Sequence, residues 1–268
     1  MSSLDRVFDV LNLFSEKHPV WTVDDAMAAL GHPKSTLYRY FKALTKAGLV
    51  VSVCGAYGLG PRIVELDQKM RIGDPLIGIA KPLLGELHRK VNSVILLMRL
   101  FHHRIICIHE LGGDEAGIPS VSRGQSLTLF RGATSKVILA HLPTSHLKDI
   151  YLAHASEIDN SGLGKDWMSF AANLKVIRKR GYQVGEIGQI VERTFSIAVP
   201  IFDGRKRAVG AVTVLQNGTR GASPENPKIL KLVRTAADEI TQRYSALELK
   251  FATNSRSSVK EEFQNVEP

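Results

Sequence analysis

The first part of the chain alternates between helical and strand periodicity in a fixed order. Leu4, Val7, Leu11 and Phe14 recur at helical spacing and predict an amphipathic first helix. After Trp21, Thr22 with Asp25 three residues later makes a capping-box pattern for a second helix, and Gly31 supplies its stop. Pro33 suits the start of a third helix, where its missing N–H costs nothing. On that helix Leu37, Phe41 and Leu44 take the inner face, and Gly48 ends it. Residues 49–53 and 56–59 then read as two short strands turning near Gly55. Three helices followed by a hairpin are the order of a winged helix-turn-helix.

Residues 61–70 predict a short connecting helix, and the Gly73-Asp74-Pro75 break starts a longer one that runs to about Val91. Beyond it the pattern predicts strands over 93–101, 105–111 and 120–129, helices over 133–141, 144–153 and 165–180, strands over 190–201 and 208–216, and a last helix over 225–250. Strands in antiparallel hairpins with helices around them predict an α+β sheet domain. The expected organisation is a DNA-binding domain over 1–60, a helical linker over 61–75, an α+β domain over 76–250 and a polar tail over 251–268, expected to be disordered.

At 268 residues the chain is long enough for these two domains. Its formal charge of +9 favours a polyanionic partner, and the placement of that charge sharpens the reading. Residues 31–62 hold Lys34, Arg39, Lys42, Lys46 and Arg62 and not one Asp or Glu. With the apolar positions of the third helix turned inward, Ser35, Thr36, Tyr38, Arg39 and Lys42 are left outward, where a helix in a major groove reaches base edges. Arg39 suits a bidentate contact to guanine, and Ser35 and Thr36 suit base or phosphate. Lys34, at the helix start, belongs to the same basic face, while Lys42 and Arg62 suit phosphate positioning. Tyr57 on the wing faces either the sugar-phosphate edge or the core. Double-stranded DNA is the first partner to expect.

Two cysteines, Cys54 and Cys107, give no disulfide framework, so a reducing compartment is expected. The N-terminal helix lacks the layout of a signal peptide, and no run approaches a membrane span, so a cytoplasmic protein without membrane contact is expected. The rival reading is a metal- or thiol-dependent enzyme. His102, His103, Cys107 and His109 are spaced as a hairpin metal site, but no second cluster completes it, and neighbours on one strand face align poorly for nucleophilic attack. No catalytic residue, metal or cofactor is therefore expected. A third reading is an oligomeric interaction module built on the long helices.

The motifs themselves carry a resemblance. Leu4-Asp5-Arg6-Val7, Pro33-Lys34-Ser35-Thr36-Leu37-Tyr38-Arg39 and Tyr57-Gly58-Leu59-Gly60, followed by Arg123-Gly124, Ala133-Thr134-Ser135-Lys136, Arg180-Gly181-Tyr182 and residues 197–203, resemble the IclR family of bacterial transcriptional regulators. The resemblance implies a homodimer or homotetramer that binds an operator through its winged helices. It also implies a GAF-like C-terminal domain that binds a small effector, often an organic acid or aromatic compound. By position the family's effector pocket falls on Ala133, Thr134, Glu186, Thr194, Ser196, Thr213 and Leu215. The strand period puts Thr194 and Ser196 on one face and Thr213 and Leu215 on one face, and a helix start at Ala133 offers N–H groups to a carboxylate. Ser196 stands where many members carry Cys, Phe130 where many have His, and Ser135 where many have Gly, which implies a different ligand.

Overall fold

The computed structural model describes residues 3–102, 104–112, 121–187, 193–218 and 225–264. The chain divides into two compact units, Met1–Asp74 and Pro75–Pro268.

The first unit contains α1 (Ser3–Asn12), β1 (Val20–Trp21), α2 (Val23–Leu30), α3 (Lys34–Lys46), β2 (Val50–Val53), β3 (Ala56–Leu59) and α4 (Arg62–Gly73). The capping box forms as its spacing predicts: Thr22 accepts from the Asp25 N–H, and Asp25 accepts from the Thr22 N–H. Leu37, Phe41 and Leu44 are buried as predicted, and Tyr40 joins them. They meet Val10, Val23, Ala26 and Val50 in one small core. The sequence reading lacks β1, which pairs Val20 with Gly58 and Trp21 with Tyr57. A two-residue strand is too short to show a period of two. The helical linker expected over 61–75 holds helix α4. The Arg62 N–H donates to the Gly48 carbonyl, and the Gly60 N–H donates to the Leu49 carbonyl, so α4 starts bonded to the end of α3.

The second unit contains α5 (Pro75–Val91), β4 (Val94–Phe101), β5 (Arg104–Leu111), β6 (Ser126–Leu127), α6 (Gly132–Leu139), α7 (Thr144–Asn160), α8 (Trp167–Arg180), β7 (Gln183–Ile187), β8 (Arg193–Phe202), β9 (Ala208–Gly218) and α9 (Pro227–Gln264). Among the described residues, six strands form one sheet in the order β6-β5-β4-β9-β8-β7, with antiparallel neighbours throughout. Two cores sandwich it. Val94, Leu96, Met98, Ala198, Ala211 and Leu215 pack with α6, α7 and α8. Ile95, Leu97, Val199, Ile201, Val212 and Val214 pack with α5 and α9.

Three elements depart from the sequence reading. Residue 120 of the predicted strand 120–129 lies outside the described residues, and of 121–129 only β6 is strand, because Gly124 takes a left-handed φ of 89° and the chain turns back, its N–H bonding to the Cys107 carbonyl. Strand β7 lacks a sequence signal because Gly185 interrupts its alternation. Helix α9 continues to Gln264, where a disordered tail from 251 was expected. No Gly or Pro occurs from 228 to 264 to stop it. Residues 265–268 lie outside the described residues.

Gly60 shows what the Tyr-Gly-Leu-Gly motif does. A Cβ at this position would stand 2.2 Å from the Gly48 carbonyl oxygen. Gly60→Ala is therefore expected to destabilise the first unit by about 1–3 kcal/mol, the usual cost of overpacking. Urea unfolding followed at Trp21, in a Trp167→Phe background, measures it; an unchanged midpoint would refute the close approach.

Candidate nucleic-acid interface and effector site

Helix α3 presents two faces. Leu37, Tyr40, Phe41 and Leu44 fill the core, while Lys34, Ser35, Tyr38, Arg39 and Lys42 are exposed and Thr36 is half-buried. Five of the six outward candidates on this helix thus stand on an open face, with Thr36 at its margin. Tyr57 does something else. Its ring stacks on Phe41 with centroids 4.1 Å apart and planes 18° from parallel. This stack packs the wing under the helix, and Tyr57 stays half-buried.

The acid-free stretch is less free of acid in three dimensions. The Lys34 ammonium lies 2.6 Å from an Asp24 carboxylate oxygen, brought across by the tight α2–α3 turn. The hydrogen bond and charge of Asp24 raise the pKa of Lys34. Arg62 pairs with Glu65 at 2.5 Å, one turn on. Among the described residues, Arg39, Lys42 and Lys46 face no carboxylate within ion-pair range. Arg39 lies over the Tyr40 ring, its guanidinium carbon 5.5 Å from the centroid. The sequence marks Asp25 as the capping acid but gives no sign that its neighbour Asp24 turns to Lys34.

Charge is also distributed unexpectedly between the units. The first unit holds nine Lys and Arg against eight Asp and Glu, a balance of +1. The chain as a whole is +9, so +8 belongs to the second unit. The outward face of α3 is basic by local arrangement within a nearly neutral unit.

In the second unit, the Ala133-Thr134-Ser135-Lys136 motif is a row of anchors. Helix α6 packs across β7, β8 and β9. Ala133 lies against Gly185, where an added Cβ would come within 3.0 Å of the Ala133 nitrogen. The Thr134 and Thr213 hydroxyls are 2.8 Å apart. Ser135 donates to the Thr128 carbonyl at 2.6 Å. The Lys136 ammonium donates to the Ser161 carbonyl, and burial lowers its pKa.

The register places Ser196 opposite both Gly185 and Leu215, and Thr213 opposite Ala198. Ser196 donates to the Gly185 carbonyl at 3.2 Å. Thr134, Thr194, Ser196 and Thr213 are all buried, none more than 4% exposed. The structure therefore brings Ala133, Thr134, Ser196, Thr213 and Leu215 together under the start of α6, with Thr194 further along β8 on the same face. The backbone of Glu186 pairs with Phe195, but its side chain lies outside the described residues. Phe130 is a core residue with its ring 5.5 Å from that of His154.

The Arg180-Gly181-Tyr182 motif also acquires a role that its spacing did not reveal. Arg180 and Arg234 each lie 4.6 Å from the Tyr182 ring centroid. The Tyr182 hydroxyl and Arg180 both bond Glu225, just before α9. These contacts fasten the start of α9 to the start of β7.

The rival chemistry finds little support. Cys107 is buried, and desolvation pushes its thiol up to about 12, far from a reactive thiolate. A β-bulge separates Cys107 from His109, since Leu97 faces His109 while Met98 faces Cys107. His103 lies outside the described residues, and among those described no cluster of three His, Cys, Asp or Glu could hold a metal. Among the described residues, no helix is long and apolar enough to cross a membrane.

Comparison with known proteins meets this geometry on both units. The IclR helix-turn-helix domain matches residues 3–53, and the bacterial transcriptional regulator IclR C-terminal domain matches residues 72–242. The chain is 25% identical to the HTH-type transcriptional regulator KipR of Bacillus subtilis over 236 residues, covering 87% of this chain and 93% of that one. It is 25% identical to the glycerol operon regulatory protein of Streptomyces coelicolor, over 80% of this chain and 84% of that one. The fold matches a crystal structure of an IclR-type regulator from Silicibacter, with TM-score 0.75, 21% identity, and 91% and 96% of the two chains covered. It also matches an IclR homologue from Microbacterium hydrocarbonoxydans complexed with 4-hydroxybenzoate, with TM-score 0.68, 22% identity, and 91% and 100% covered. The helix-turn-helix face, the six-stranded effector-type domain and the matches to both in order make one assignment: this chain belongs to the IclR family of DNA-binding transcriptional regulators with a C-terminal effector-binding domain.

Proposed function

We propose that two copies of this chain place their α3 helices in the major groove of a roughly palindromic operator, and that a small organic acid or aromatic acid at the α6 start changes that binding. The observation that carries the reading is the outward face of α3, where Tyr38, Arg39 and Lys42 stand together away from the core. Arg39 reads a base edge, Lys42 and Lys46 hold phosphates, and Lys34 and Arg62 contribute less because each already has a carboxylate partner.

Pairing of two chains has its own support. Helix α4 buries none of its residues, and Val64, Leu66, Met70 and Ile72 stand exposed on it. A second copy is the fitting cover, since a palindromic site is matched by a twofold protein. The protein acts by binding without catalysis, and in the cytoplasm, where its DNA is.

For the effector, Thr134, Ser196 and Thr213 set buried hydroxyls among the apolar side chains of Ala133, Leu215 and Ala198, and a small ligand with one polar group would take up those hydroxyls in exchange for their present partners. The relative bound to 4-hydroxybenzoate makes aromatic acids the first probes. Coupling of about 1–3 kcal/mol between the two sites would suffice for regulation.

Three outcomes test this. Arg39→Ala should lose preference for the selected operator over random duplex, by about 1–3 kcal/mol, with the oligomer intact; unchanged preference would move base reading elsewhere. Asp24→Asn should strengthen duplex binding and steepen its salt dependence, because Lys34 is released and a repelling charge is removed; no gain would mean Lys34 takes no part. Thr134→Val with Thr213→Val removes both ends of one buried hydrogen bond, so stability should stay close to wild type. The same pair should abolish the operator response to a panel of aromatic and aliphatic carboxylic acids that includes an active one; a retained response would place the ligand elsewhere.

A further inference from the structure

Most of the excess positive charge lies in the second unit, and part of it is gathered at one end of the sheet. Strands β4 and β9 are antiparallel neighbours with Arg99 opposite Gly210, so the β4–β5 and β8–β9 turns project from the same end. The β8–β9 turn carries Arg205, Lys206 and Arg207, all exposed, and Arg104 stands exposed at the foot of the other.

The β8–β9 turn is built to hold its shape. Asp203 is buried and accepts from the N–H groups of Arg205 and Arg207 and from the Arg207 guanidinium at 2.7–2.9 Å. Burial pushes its carboxyl upward, and these hydrogen bonds outweigh that and hold it below the usual range. Glu248 of α9 accepts from the Gly204 N–H at 2.9 Å. The two acids at this turn are thus spent on its backbone and on Arg207, leaving Arg205 and Lys206 pointing away. Lys206 takes the left-handed φ of 60° at the tip.

The chain also enters the unit at this end. Helix α5 is joined to β4 by only two residues, so it folds back over the strand. Its 17 residues span about 25 Å, the same as the eight residues of β4. Pro75, the first residue after the DNA-binding unit, therefore begins near the end where β4 finishes.

We propose that this end of the second unit is a further nucleic-acid contact, in which Arg205, Lys206 and Arg104 hold phosphates of the duplex flanking the operator. The proposal rests on the regulator reading of the first unit. It adds to the phosphate contacts of α3, in a unit whose net balance is only +1, a second source of sequence-independent attraction to a polyanion. Sequence is read by α3, and the second unit adds affinity.

The test compares full-length proteins on a selected operator extended by flanking duplex, titrated across salt. Arg205→Gln with Lys206→Asn should weaken binding and make the slope of log K against log salt shallower by about 2, roughly one per cation removed. Asn suits the left-handed φ at 206. Lys228→Gln with Lys231→Gln removes the same charge from exposed positions at the start of α9, and should leave the slope as in wild type. Arg104→Gln repeats the test on the neighbouring turn, away from the Asp203 clamp, with an expected change of about 1. Equal slopes for wild type and the 205/206 variant would overturn the proposal, and so would equal losses in both double variants, which would mean net charge alone acts. If wild type shows no salt-dependent duplex binding at all, it is the regulator reading that fails.

Discussion

Strand β4 is buried on both faces, and the second unit is organised around that constraint. Every side chain from Val94 to Met98 is at most 1% exposed, alternating between the two cores. A strand with no solvent face needs helices on both sides, and it gets α6–α8 on one and α5 with α9 on the other. This fixes the functional geometry. Helix α6 must lie flat on the sheet, which brings Ala133 and Thr134 onto β7, β8 and β9. The buried hydroxyls there are tolerable because they meet partners: Thr134 meets Thr213, and Ser196 meets the Gly185 carbonyl.

The first unit obeys a smaller version of the same logic. Its core has few large side chains, and Phe41 is central because it supports the recognition helix from inside and the wing through Tyr57. Contact of ring on ring makes helix and hairpin one body.

Much of this was legible in the residues, and the failures have physical causes. The helices of the first unit could be read because capping chemistry and apolar spacing agree, as at Thr22–Asp25 and Leu37–Phe41–Leu44. The outward face of α3 follows directly from its inward one. The Lys34–Asp24 and Arg62–Glu65 pairs were not legible, since charge counted along a stretch ignores what the next turn brings across. The group at Thr134, Ser196 and Thr213 came from resemblance, and only strand register shows these residues to be neighbours. Strand β7 was hidden by Gly185, the residue whose missing side chain lets α6 approach. The Arg180–Tyr182–Arg234 stack joins residues too far apart in sequence for any local pattern to reveal.

The separation of the two faces of α3 has a consequence for how such a protein diversifies. Leu37, Tyr40, Phe41 and Leu44 specify folding, while Tyr38, Arg39 and Lys42 are spared that duty. Under the proposed reading of α3 as the groove helix, exchanges at the outward positions would redirect the protein to another stretch of genome without a stability threshold being crossed. On that reading the helix is a replaceable key on a fixed handle, and descendants of this chain would acquire new target genes by drift at a handful of surface codons.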